Sequence, residues 1–177
     1  MHRLFVAVRP PEHIVDLLVD AMDDSPALRW VSDENLHLTL RFIGEVERPL
    51  ANELAAALSV LSFPAFDIRI AGAGSFDRRG GGAVWASVEP RTELQALAAK
   101  VDRACVAAGL APERRAFHPH LTLARYGRDR KQAAADFVRR TSALRSDPFR
   151  VDGFTLFESH LSRHGPHYEA ISNFPLA

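Results

Sequence analysis

Apolar and polar positions along the chain follow two periods, and the switches between them set the order of elements. Arg3–Val8 (RLFVAV) is a β-branched and aromatic run with the spacing of a strand. Pro10-Pro11 end it and open a helix, because proline is tolerated in a first helical turn. Ile14, Leu17, Leu18 and Met22 then come at helical spacing. Arg29–Val31 reads as a short strand and Ser32-Asp33 as a turn. Leu36–Ile43 (LHLTLRFI) alternates as a strand that Gly44 stops. Leu50, Leu54, Ala57, Leu58 and Leu61 mark a second helix. Phe66–Ile70 (FDIRI) and Ala83–Val88 (AVWASV) read as neighbouring strands around the glycine-rich Arg78–Gly82 turn. Leu94, Leu97, Val101 and Cys105 mark a third helix, closed near Gly109. Leu121–Tyr126 is a strand and Ala133–Leu144 a fourth, arginine-studded helix. Phe149–Glu158 and Tyr168–Ser172 are late strands. Strands and helices intermixed with hairpins predict an α+β fold with mainly antiparallel sheet, rather than a doubly wound one.

No linker or low-complexity stretch interrupts this pattern, so residues 1–177 are expected to form a single domain. With 47% hydrophobic residues the chain can bury a sizeable core. Lys+Arg and Asp+Glu both total 22. A neutral chain is no broad polyanion binder, so any nucleic-acid contact is expected to be local. Arg114, Arg115, Arg125, Arg128, Arg130, Lys131, Arg139 and Arg140 do crowd one region. They read either as an ordinary solvated face or as a local attraction for phosphate. The one cysteine, Cys105, sits in an apolar helical pattern and reads as a core residue, without a partner for a disulfide or a zinc cluster. The short apolar run before Arg9 does not resemble a secretion signal, and no apolar stretch approaches the ~20 residues that span a bilayer. The expectation is a cytoplasmic protein with no membrane contact.

One tetrapeptide changes the picture. HLTL occurs at His37–Leu40 and again at His120–Leu123, about half a chain apart. In a strand, residues i and i+2 share a face. Each copy therefore presents one imidazole and one hydroxyl on one side, with its leucines turned to the core. Two such strands lining one cleft would offer His37, Thr39, His120 and Thr122 together. That set suits phosphodiester cleavage. One histidine takes a proton from an attacking water and the other returns one to the leaving oxygen, both near an ordinary imidazole pKa of ~6.5. The threonine hydroxyls can donate to the non-bridging oxygens, where charge builds. Such a set requires no metal and no cofactor. A strained 2′,3′-cyclic phosphate, whose leaving alkoxide needs a proton, fits this chemistry. The motif's repetition also suggests two similar lobes that bring the copies face to face.

The two H-x-T-x motifs resemble those of the 2H phosphoesterase superfamily. HLTLRFIGEV (37–46), FHPHLTLAR (117–125), FTLFESHLSRHGPHYEAISNFPL (154–176) and RLFVAVRPP (3–11) resemble the bacterial RNA 2′,3′-cyclic phosphodiesterases, also called 2′-5′ RNA ligases. The resemblance implies one domain over residues 1–177, with two interleaved, pseudo-symmetric lobes and helices outside a central cleft. It implies hydrolysis of RNA 2′,3′-cyclic phosphate ends to 2′-phosphates, with His37 as proton donor and His120 as proton acceptor. Thr39 and Thr122 would bind phosphate, and Arg125 would lie near it. The identical motifs do not themselves decide which histidine is the acid. Ligation, or cleavage of 2′-5′ oligonucleotides or small cyclic nucleotides, is the alternative within this chemistry. A non-catalytic RNA- or nucleotide-binding module is the alternative outside it. One cleft within one chain needs no partner, so a monomer is expected.

Other residues carry two readings. Strict alternation puts Arg125 on the face opposite Thr122, so it reaches a phosphate only if the strand ends or twists. Arg41 shares the parity of His37 and reads as a cleft residue or a structural ion pair. His118 reads as a loop residue or an orienting group. Phe5, Trp30, Trp85 and Phe117 read as core residues or as base-stacking surfaces. His160, His164 and His167 match no zinc spacing and read as a polar turn between strands. Gly80–Gly82 lacks the remainder of a P-loop and reads as a loop.

Overall fold

A computed structural model describes residues 1–177. Its nine strands are β1 (His2–Val8), β2 (Arg29–Trp30), β3 (Leu38–Val46), β4 (Phe66–Arg78), β5 (Gly81–Glu89), β6 (His120–Gly127), β7 (Phe149–Val151), β8 (Gly153–Ser162) and β9 (Gly165–Pro175). Its four helices are α1 (Glu12–Ala21), α2 (Arg48–Ser59), α3 (Thr92–Ala107) and α4 (Lys131–Arg140). The strands form one antiparallel sheet in the order β7-β4-β5-β6-β3-β1-β8-β9, with β2 beside β6.

The sheet divides where β3 meets β6, because those strands share only the pair Leu38↔Leu121. On one side lie β3, β1, β8 and β9; on the other lie β6, β5, β4 and β7. The chain weaves between the halves. β7 and β8 sit at opposite ends of the strand order, yet only Asp152 separates them in sequence. α3 and α2 pack on the β3 side, whereas α4 covers β4, β5 and β6. The end of α1 meets α4, where Arg140 pairs with Asp23 at 2.5 Å. Thirty-six buried apolar residues make one continuous core under both halves. Leu38, Leu40, Leu121 and Leu123 all lie in it, as the alternation requires.

Several boundaries differ from those the sequence predicts. Gly44 does not end β3; its φ of +91° accommodates a bulge, and the strand runs on to Val46. β4 extends well past Ile70 through small residues that carry no hydrophobic signal. It bends at Gly72 (φ +86°), whose N–H donates to the Leu144 carbonyl at 2.6 Å. α4 stops at Arg140, leaving residues up to Leu144 as a turn that ties down this bend. The run Phe149–Glu158 is two strands, since Asp152 marks the crossing between sheet halves. Gly81 and Gly82 belong to β5, where a Cβ on either would lie 1.9 Å from a backbone oxygen.

Candidate active site

Antiparallel pairing of Leu38 with Leu121 places the two HLTL segments about a local two-fold axis. One step to either side, this register directs His37 toward Thr122 and Thr39 toward His120, all four on one face. Imidazole and hydroxyl thus alternate on one face where the two halves of the sheet meet. Each histidine is anchored in the same way. His37 Nδ1 donates to the Asn35 carbonyl at 2.7 Å, and His120 Nδ1 to the His118 carbonyl at 2.5 Å. A carbonyl only accepts, so both rings carry the proton on Nδ1 and keep Nε2 free. The turn before His37 is itself held, since Arg9 donates to the carbonyls of Asp33 (2.7 Å) and Leu36 (2.8 Å).

Both motif strands carry a bulge just past the threonine. On β3, Ala7 pairs with Thr39 and Val6 with Arg41, so Leu40 is the extra residue. On β6, Trp85 pairs with Thr122 and Val84 with Ala124, so Leu123 is extra. Each bulge reverses the alternation beyond it. Arg41 therefore turns away from the cleft and is 8% exposed. It donates to Asp102 Oδ1 (2.8 Å) and to the carbonyls of Phe42 and Ala111 (2.6 Å each). Arg125 is turned the other way, to the face of His120 and Thr122. Its charge reaches both imidazoles and Tyr168. No carboxylate pairs with it, whereas Arg115, Arg130, Arg139 and Arg140 all have acidic partners.

Burial pushes the His37 imidazole below its ordinary pKa, and the charges of His120, Arg125 and Arg9 push the same way; only the Asn35 carbonyl opposes them. Burial lowers His120 as well, assisted by His118 and Arg125 and opposed by the His118 carbonyl. Aromatic walls cause the burial. His37 lies 5.0 Å from the Phe5 ring and 5.3 Å edge-on from Tyr168. His120 lies 5.1 Å edge-on from Phe76 and 5.8 Å from Trp85. Two neutral-leaning imidazoles beside an unpaired guanidinium form a site ready for an anion that shares one proton with them.

The fold thus gathers His37, Thr39, His120, Thr122 and Arg125 at one place. Of the other residues singled out, Phe5 and Trp85 wall the site, and His118 contributes its carbonyl and a ring 5.0 Å from Trp85. Trp30 packs on Phe137 and donates to the Ser25 carbonyl, so its role is structural. Phe117 packs against the core. Cys105 is buried, and its thiol is pushed up to about 11, which suits a core residue and not a nucleophile. Sequence reasoning missed Tyr168 and Phe76. Both come from strand pairings remote from the motifs, and no local pattern marks them.

A nine-stranded antiparallel sheet with two histidine–threonine strands meeting at its centre is the architecture of the 2H phosphoesterases. The chain belongs to the 2′-5′ RNA ligase superfamily, whose family model matches residues 10–163. It is 36% identical over 147 residues to the RNA 2′,3′-cyclic phosphodiesterase of Aeropyrum pernix, covering 81% of this chain and 84% of that one. It is 32% identical over 176 residues to the protein of the same name from Archaeoglobus fulgidus, covering 97% and 99%. Among solved structures it resembles E. coli LigT in apo form, at 27% identity and a TM-score of 0.79 over 99% of this chain and 98% of that one. It also resembles LigT complexed with 3′-AMP, at a TM-score of 0.78 with 27% identity and the same coverage.

Proposed function

We propose that this chain hydrolyses RNA 2′,3′-cyclic phosphate ends to 2′-phosphates by histidine acid–base catalysis, without a metal ion. The observation that carries the reading is the paired anchoring of both imidazoles through Nδ1, which leaves two free Nε2 atoms on one face beside Arg125. Neutral His120 takes a proton from water as its oxygen bonds to phosphorus. The P–O3′ bond breaks, and protonated His37 delivers its proton to O3′. The product carries a 2′-phosphate and a 3′-hydroxyl, and exchange with solvent resets the pair. Thr39 and Thr122 hydroxyls donate to the non-bridging oxygens, and Arg125 offsets the charge that builds there. The assignment of His37 as acid and His120 as base rests on the family pattern, since the two anchors are alike.

The family's description favours a second reading with the same proton traffic. If a 5′-hydroxyl replaces water, the same bond breaks and a 2′-5′ linkage forms. Small cyclic nucleotides fit the same four groups. We infer that residues 1–177 work as one domain of two interleaved lobes, and as a monomer, because one chain supplies every group named. The test is a defined RNA with a 2′,3′-cyclic end, assayed with and without chelator. Release of a 2′-phosphate at an unchanged rate in EDTA is the expected result. A 3′-phosphate product, or loss of turnover with chelator, would overturn the proposal.

A further inference from the structure

The sheet has a second cluster of ionisable side chains, on the face turned away from the catalytic cleft. Glu158 and His160 lie two apart on β8, and Glu169 is the direct cross-strand partner of Glu158 on β9. One ligand atom from each of these three lies within 4.8 Å of the others. His160 Nε2 is 2.9 Å from Glu169 Oε2 and 4.0 Å from Glu158 Oε2. On β1, His2 Nδ1 is 2.8 Å from Glu158 Oε1. His167, opposite His160, stacks on it with ring centroids 6.3 Å apart. Alternation fixes the side. Leu4 and Leu156, which share the parity of His2 and Glu158, are core residues, whereas Phe5, Phe157 and Tyr168 meet one another on the cleft side. The cluster opens beside Arg48 and Asn52 of α2, next to His2 and Glu158.

We propose that this cluster is a binding site for a divalent transition-metal ion of the zinc type, held by Glu158, His160 and Glu169 and supported by His2. Like charges directly opposed across a ladder repel, and Glu158 faces Glu169. A cation between them removes that cost and gains two carboxylates and an imidazole at once. The mixed nitrogen and oxygen set suits zinc, whereas calcium and magnesium take oxygen ligands. A tetrahedral ion ~2.0–2.1 Å from each ligand sets those ligands ~3.4 Å apart, so small rotations of the two carboxylates complete the set. His2 then orients Glu158 as an outer-shell partner. All the ligands stand on strands, so little chain ordering opposes binding.

The ion would join β8 to β9, with β1 linked through His2. The same hairpin carries Tyr168 to the catalytic cleft. It also offers the Pro166 carbonyl to Asn35 Nδ2 at 2.9 Å, and Asn35 is the residue whose carbonyl anchors His37. The site is thus a structural clasp behind the catalytic wall, and it takes no part in the proton transfers proposed above.

The experiment is a Zn2+ titration of the full chain, stripped of metal with a chelator, against a chromogenic zinc indicator. One equivalent is expected to bind, and it should raise the thermal midpoint. His160→Ala and the isosteric Glu169→Gln should each weaken binding at least tenfold, and His2→Ala about tenfold. Because His37 and His120 could themselves take an ion, the double variant His37→Ala/His120→Ala is titrated as well, and it should keep the equivalent. Bound Co2+ should give the visible spectrum of a four-coordinate ion in the wild type and not in His160→Ala. The proposal is overturned if no zinc binds in the micromolar range. It is also overturned if the bound equivalent survives His160→Ala and Glu169→Gln, or disappears in the catalytic double variant.

Discussion

The two motif strands are a natural comparison. β3 and β6 share the tetrapeptide, the Nδ1 anchor on the carbonyl two residues back, and a bulge at the second leucine. Beyond the bulge they differ. There β3 buries Arg41 and exposes Phe42, whereas β6 buries Ala124 and exposes Arg125. One arm therefore adds a cation to the cleft, and the other adds an aromatic ring with the Arg3 guanidinium 5.7 Å from its centroid. Repetition explains the paired imidazoles, the proposed acid–base set. The departure from repetition puts the Arg125 guanidinium on the β6 side of the site alone.

The largest test of this comparison removes the groups the arms share. His37→Ala and His120→Ala should each lower kcat by ~10²–10⁴-fold, and the double variant should be little worse, because the pair acts as a unit. An activity near wild type in either variant on a cyclic-phosphate end would break the equivalence of the arms. The next test removes the groups they do not share. Arg125→Ala should cost ~10–100-fold in kcat/KM, the worth of charge-assisted hydrogen bonds to phosphate. Arg41→Ala should leave KM close to wild type and instead destabilise the fold by about 3 kcal/mol, since Asp102 and two carbonyls lose their partner. Chemical denaturation separates the two. If Arg41→Ala raised KM while the fold kept its stability, the bulge argument would fail.

A smaller effect is expected from the wall of the β6 arm. A Cβ at Gly74 would lie 2.4 Å from the Trp85 ring, which borders His120. Gly74→Ala should displace that ring, change the near-UV circular dichroism and destabilise the fold by about 1–3 kcal/mol. Gly80→Ala, which meets open space, is the control.

The smallest effects concern pH. Both imidazoles titrate below 6.5, so the bell-shaped kcat/KM profile should centre on the acid side of that value. Arg125→Ala should move the centre up, because the guanidinium lowers both groups. The same shifts set the sign for stability. Below about 6.5 the unfolded chain binds protons that the folded imidazoles refuse, so stability falls as pH drops through that window and is level above it. His37→Ala should flatten this slope. A slope unchanged in both histidine variants would place its origin elsewhere.

The α+β class, four helices and the inward leucines of both motifs were legible in the sequence, because period-2 and period-3.6 patterns are local properties of the chain. Strand ends were less so. Glycine at a positive φ let β3 continue past Gly44, and the small residues 71–74 hid the length of β4. The His160–His167 segment read as a turn, but only Arg163 and His164 form one; β8 runs to Ser162 and β9 starts at Gly165, so His160 and His167 stand on paired strands beside Glu158 and Glu169.

By itself, then, the sequence determined the chemistry of the site. Two identical strands with imidazole and hydroxyl on one face result from side-chain alternation alone, and family resemblance supplied the proposed substrate. Family resemblance put Arg125 near the phosphate, but why it faces the cleft while Arg41 does not was decided only in three dimensions. Parity assigned Arg41 to the cleft and Arg125 away from it, and two one-residue bulges exchanged them. A bulge is a property of the pairing between strands, visible in neither strand's own pattern. The same holds for Tyr168, Phe76 and the Glu158–His160–Glu169 cluster, which long-range pairing alone brings to their places.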